Sequence, residues 1–262
     1  MFNPKKHRVI FYNQRGSGNS TPLGNLNNNT TQDLISDVDK LREHLKIDRM
    51  YLCGGSWGST MALLYAIAQP IRVISMIVWS VFLAEPTKNH ASYTYTHNNF
   101  PEAWERFISF VPKEKQSNWY SIAEYYNQQI KLNNQESIKY ANEWSLWGNT
   151  LINNTQAQSL LELDTIKNAQ DNLSHAKIEL YYMLNNYFIE ENFILNNIDI
   201  IKNIPAYVVH GRFDMCTPAN GAYKLRQAYG DNMTLQFVNS GHKRSDPEMS
   251  AALTCANNLM FK

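Results

Sequence analysis

Of the side chains in this 262-residue chain, Ser56 has the surroundings of a nucleophile, in the run Gly54-Gly55-Ser56-Trp57-Gly58. Apolar residues precede it (Met50 to Cys53) and a helix-prone run follows (Thr60 to Ala68). That order predicts a strand, a sharp turn and a helix, with Ser56 on the turn. A serine hydroxyl is a weak nucleophile until it is lifted clear of the backbone to meet a base. A turn tight enough to do so is crowded, so Gly54 and Gly58, two residues to either side, are expected to be glycine because a side chain would not fit. The helix would aim its first backbone N–H groups, Trp57 foremost, at negative charge developing on a carbonyl oxygen.

A nucleophilic serine needs a base, and the base needs an acid that orients it. Downstream, Ile204 to Phe213 is a β-branched run that ends in a polar loop at Asp214. A second short strand, Thr234 to Val238, runs into Asn239-Ser240-Gly241-His242. With a helix between them (about Pro218 to Tyr229), two parallel strands would bring both loops to one sheet edge, where reacting groups gather in such sheets. Ser56 would then attack a carbonyl, His242 would take and return the proton, and Asp214 would hold the imidazole tautomer. The remaining histidines read differently. His7, His44, His90, His97 and His175 lie at the chain start, on helices or in polar stretches and are read as solvated, and His210, at a strand end, is read as structural. No His/Cys cluster has metal-ligand spacing, and Gly16-Ser17-Gly18 lacks the third glycine and the helix start of a phosphate loop.

Around these residues the chain is 44% hydrophobic and 12% aromatic, enough for one full core with an inserted subdomain. A formal charge of +1 points neither to nucleic acid nor to an anionic membrane, and no apolar run is long enough to cross a bilayer. Three cysteines (Cys53, Cys216, Cys255) make no disulfide framework, which favours a reducing, cytoplasmic setting. Arg8 to Tyr12 predicts a strand, and Thr30-Thr31-Gln32-Asp33 opens a helix with Leu34, Val38, Leu41 and Leu45 at helical spacing. Val73 to Trp79 is the almost unbroken apolar run of a parallel strand covered on both faces. From about residue 82 to 197 strands give way to helical periodicity (Pro101 to Phe110, Trp119 to Leu132, Glu136 to Trp147, Gln156 to Ile166, His175 to Tyr187). The division expected is therefore a core of residues 1–81 and 198–262 and a helical cap of 82–197, which would shape a pocket and exclude water from it.

Over nearly its whole length the sequence resembles the proline iminopeptidase (prolyl aminopeptidase) family of α/β-hydrolases. Gln14-Arg15-Gly16-Ser17-Gly18-Asn19-Ser20 is similar to the family's Asp-Gln-Arg-Gly-x-Gly-x-Ser, and Asn29-Thr30-Thr31 to its Asn-Thr-Thr helix start. Gly54 to Thr60 resembles its nucleophile signature, His210 to Met215 its acid loop and Ser240-Gly241-His242 its histidine loop. The resemblance implies an α/β-hydrolase fold: a mostly parallel sheet flanked by helices, with an inserted helical cap. It implies release of an N-terminal residue, preferably proline, from small peptides through an acyl-enzyme on Ser56, with no metal and no cofactor. The pocket positions it implies are Phe82, Trp79, Gly148, Leu184 and Thr217.

The departures from the family pattern are specific. The family has a cap glutamate after a Trp-Ser-x-Trp segment and another before Asn-x-Tyr-Phe, which hold the substrate's amine. Here those places carry Gly148 and Leu184, and an arginine usual after the sixth strand is Trp79. A buried ammonium without a carboxylate is costly, by roughly several kcal/mol; Glu143 and Glu179 are the candidates to replace the pair. The family's upstream His-Gly-Gly-Pro-Gly loop, part of its oxyanion hole, has no counterpart, so a late start and a gap in the sheet are expected. These departures keep two other readings open: an α/β-hydrolase acting on another ester or amide, and an inactive truncated homologue.

Overall fold

A computed structural model describes residues 2–3, 5–85, 95–154, 161–162, 165 and 168–260. Its sheet has four parallel strands: β1 (Met50–Ser56), β2 (Val73–Val81), β3 (Ala206–Gly211) and β4 (Met233–Val238), in the spatial order β1-β2-β3-β4. Among the described residues the α-helices are α1 (Thr31–His44), α2 (Trp57–Ala68), α3 (Pro101–Ser109), α4 (Trp119–Lys131), α5 (Gln135–Ile152), α6 (Ala169–Leu184), α7 (Phe193–Asn196), α8 (Ala219–Tyr229) and α9 (Pro247–Met260). Two compact units result: Met1–Phe11, Gln32–Ala84 and Asn192–Lys262 form one, and Tyr12–Thr31 with Glu85–Glu191 the other.

The first unit holds the sheet. Met76, Ile77 and Val78 are buried in succession, the pattern of a strand covered on both faces. α2 has no charged residue and is buried from Ser59 to Ile67, so it behaves as a core helix. α9 lays Met249, Leu253 and Ala256 against Ile77, Val209 and Val238. Each connection between paired strands carries at least one helix, as parallel pairing requires.

Arg8 to Tyr12 does not form the expected strand. A strand is held by a neighbour that takes its backbone N–H and C=O groups. Among the described residues the four strands pair among themselves in a single row, with β1 at one edge, and Phe11 is 85% exposed.

The second unit is helical and is held by aromatic packing. Phe107 on α3 stacks on Tyr126 of α4, with ring centroids 4.7 Å apart, and contacts Trp144 and Trp147 of α5. The polar loop and first residue of α1 are tied to α6 and the turn after it: Tyr182 donates to Asn29 Oδ1 at 2.9 Å, and Thr31 Oγ1 donates to the Tyr187 carbonyl. Most of the helix expected over Gln156 to Ile166 lies outside the described residues, as does His90. No described helix is long and apolar enough to cross a membrane.

Candidate active site

The four strands are parallel, so Ser56, Asp214 and His242 all lie at or just beyond the same edge of the sheet. Ser56 has φ 55° and ψ −126°, a combination normally left to glycine. Holding it costs of order 1–3 kcal/mol. Ser56→Gly should therefore be more stable than Ser56→Ala by about 1 kcal/mol, the relieved strain minus about 0.5–1 kcal/mol of glycine entropy; urea unfolding midpoints of the two variants check this. The crowding around the turn is one-sided. A side-chain carbon on Gly54 would lie 2.2 Å from the Gly58 carbonyl oxygen, whereas one on Gly58 meets nothing within 4 Å. Gly54 is thus required by the backbone opposite, and Gly58, contrary to expectation, has room for a methyl group. Trp57 starts α2, where the first N–H groups have no acceptor within the helix.

His242 follows β4, three strands from β1, which at the usual strand spacing is about 14 Å. The loop after β4 crosses back to close that distance. It passes over Gly211, where an added side-chain carbon would lie 2.1 Å from the Gly241 oxygen and 2.5 Å from the Ser240 oxygen. The Ser240 carbonyl also accepts from Phe213 N–H at 3.0 Å. The His242 carbonyl then accepts from Ser80 Oγ on β2 at 3.0 Å. Ser80 (φ 46°) is the extra residue of a bulge: Gly55 pairs with Trp79 and Ser56 with Val81. His242 therefore sits over the strand next to Ser56. Asp246 and Glu248, at the start of α9, hold the loop from behind through the N–H groups of Gly241 and Asn239. Gly211→Ala puts a methyl group into backbone that has no rotamer to give. A displacement of about 1 Å at a reacting group costs about 100-fold in rate, so a fall in kcat of that order, with a lower melting temperature, is expected in a paired assay and melt.

Asp214 is buried and saturated with donors. Oδ1 accepts from Cys216 N–H (3.0 Å) and Thr217 N–H (2.8 Å), and Oδ2 from Thr217 Oγ1 (3.0 Å). His242 Nδ1 lies 3.0 Å from Oδ1 and 2.8 Å from Oδ2. Burial works to raise the carboxyl pKa, but the His242 hydrogen bond and charge, with help from His210 and Thr217 N–H, bring it below its ordinary value. An ionised Asp214 keeps the proton on His242 Nδ1 and leaves Nε2 as the base. Ser56 Oγ and His242 do not hydrogen-bond to each other in this structure, a contact that often tightens only when substrate binds.

The pocket positions fall out variously. Thr217 is part of the acid's hydrogen-bond set, a role not read from the sequence. Phe82 is fastened to the start of α2: its N–H donates to Ser59 Oγ (3.0 Å) and its carbonyl accepts from Thr60 Oγ1 (2.6 Å). The Trp79 indole lies 2.1 Å from where a Gly55 side-chain carbon would stand, and it packs against the α9 core. Gly148 lies within α5 and Leu184 ends α6, both in the helical unit. There Glu143 is engaged by Arg106 Nε at 2.9 and 3.1 Å. Burial raises the Glu143 pKa against the pull of that guanidinium. Glu179 accepts from Trp144 Nε1 at 2.7 Å and is 41% exposed. Ser80, one of two serines in β2 with Ser75, anchors the histidine loop, a role not read from the sequence.

Comparison with known proteins agrees with this architecture. Residues 2–245 match the family model described as alpha/beta hydrolase fold. A solved alpha/beta hydrolase from a Medee basin deep-sea metagenome library superposes with a TM-score of 0.56 at 19% identity, over 95% of this chain and 78% of that one, a likeness of fold. A protein of Arabidopsis thaliana named proline iminopeptidase is 33% identical over 99% of this chain and 68% of its own length. A probable proline iminopeptidase of Leptolyngbya boryana is 34% identical over 96% and 78%. The chain belongs to the proline iminopeptidase family of α/β-hydrolases.

Proposed function

We propose that this chain is a serine hydrolase that releases an N-terminal residue, preferably proline, from peptides through an acyl-enzyme on Ser56. The observation that carries this reading is the buried Asp214–His242 pair, 2.8 Å apart, held over the strand beside Ser56. The names of the relatives supply the substrate class. In the first half-reaction Ser56 Oγ adds to the carbonyl carbon of the N-terminal residue and its proton passes to His242 Nε2. The oxyanion takes a hydrogen bond from Trp57 N–H. The C–N bond then breaks, His242 gives its proton to the leaving amine, and the ester on Ser56 remains. Water, giving a proton to His242 as its oxygen adds to the ester carbon, displaces Ser56 Oγ, which takes that proton back from His242, and the amino acid leaves.

A second reading has its own support. With Gly148 and Leu184 in place of carboxylates, and Glu143 already paired with Arg106, Glu179 is the acidic residue left of the two replacement candidates. A hydrolase for another ester or amide has no need of an amine-binding carboxylate. The discriminating measurement compares chromophore release from proline anilide and from a short acyl ester. Turnover of the anilide supports the aminopeptidase, and turnover of the ester alone rejects it. Folded protein that takes no label from a fluorophosphonate would indicate an inactive homologue.

A further inference from the structure

We propose that His210 is a positioning residue for the Asp214–His242 pair, a strut of fixed tautomer between the end of β2 and the acid loop. The inference rests on the triad in the proposed function. His210 is fully buried at the end of β3. Val81 N–H donates to its Nδ1 at 3.0 Å, so Nδ1 is the unprotonated nitrogen. The proton is therefore on Nε2, which donates to the Thr217 carbonyl at 2.8 Å. Each end of the strut meets the site. Val81 pairs with Ser56 and follows Ser80, which holds the His242 carbonyl. Thr217 gives its N–H and its hydroxyl to the two oxygens of Asp214, and that hydroxyl lies 3.3 Å from His242 Nδ1. One rigid ring thus sets the separation between the peptide beside Ser56 and the peptide that cradles the acid.

The charged and titratable neighbours of His210 are Asp214, with Oδ2 3.9 Å from Nε2, His242, and Arg212, whose guanidinium lies over Phe237. Burial outweighs the attraction of Asp214 and lowers the His210 pKa, so the ring stays neutral. A second ring proton would set Nδ1–H against Val81 N–H, two donors facing each other.

The test uses two substitutions that each keep one half of the strut. Asparagine places an acceptor near the Nδ1 position and glutamine a donor near the Nε2 position. If His210 acts through Thr217, His210→Gln keeps kcat within about tenfold of the parent, whereas His210→Asn loses about 100-fold, with KM little changed in both. Activity is counted per site titrated with a fluorophosphonate, so unfolded protein does not enter. The downfield proton resonance of His242 Nδ1–H should persist in the glutamine variant and shift or vanish by exchange in the asparagine variant. Two folded variants that both keep kcat within twofold with the resonance unmoved would overturn the proposal, as would losses in either with the resonance unmoved. A parent protein that takes no fluorophosphonate label would instead count against the proposed function, and the resonance would still decide the role of His210.

Discussion

Ser56→Ala is expected to lower kcat by about a millionfold on whichever substrate the parent turns over. The residue stands alone on the turn between β1 and α2, held at φ 55° so that its hydroxyl projects from the backbone. Neither chain neighbour, Gly55 nor Trp57, carries a nucleophile that could take over the proposed covalent step. Binding and the oxyanion donor remain, and these alone leave a residual acceleration of about 10³–10⁴ over water. His242→Ala should fall to a similar level, because without a base the hydroxyl keeps its proton. The double variant should be no worse than either single one, since the two act as a unit. Steady-state kinetics on the three variants, each shown to be folded by its unfolding transition, measure this. A Ser56→Ala protein within tenfold of the parent would remove Ser56 from the mechanism.

Asp214→Asn should cost about 10⁴-fold in kcat with little loss of stability. The direction follows from the donors around the carboxylate. Oδ1 faces two backbone N–H groups, from Cys216 and Thr217, which would repel an NH2 group. The amide must therefore put its oxygen there and its nitrogen at the Oδ2 position, 2.8 Å from His242 Nδ1. That nitrogen donates, so Nδ1 must accept and the imidazole proton moves to Nε2. The base is then protonated at the nitrogen that should receive the serine proton. The Thr217 hydroxyl can turn to accept from the new amide, so the fold keeps its hydrogen bonds. Rate against pH, together with the NMR tautomer of His242, checks the account; an asparagine variant with the parent's tautomer and turnover would refute it.

Much of this site was open to reading from local pattern. Apolar-rich runs marked the strands, most clearly β2, whose Met76 to Val78 are covered on both faces, whereas β1 and β4 carry exposed residues such as Tyr51 and Thr234 within the run. The serine, acid and histidine each followed one of those runs. Arg8 to Tyr12 carries the same local pattern but forms no strand, because pairing depends on a neighbour and not on the segment itself. Gly54 and Gly58 look equivalent in the motif, yet only Gly54 faces a carbonyl at 2.2 Å.

The sequence by itself determined the residue types, their order and the end of the sheet at which they emerge, since strand direction and turn chemistry are local properties. The tertiary structure alone decided how His242 reaches the strand beside Ser56. Its loop crosses Gly211 and is caught by Ser80 in the β2 bulge, and Thr217 and His210 brace the acid below it. These contacts join residues up to 162 positions apart. They depend on where backbones pass one another in space, and no spacing along the chain encodes that.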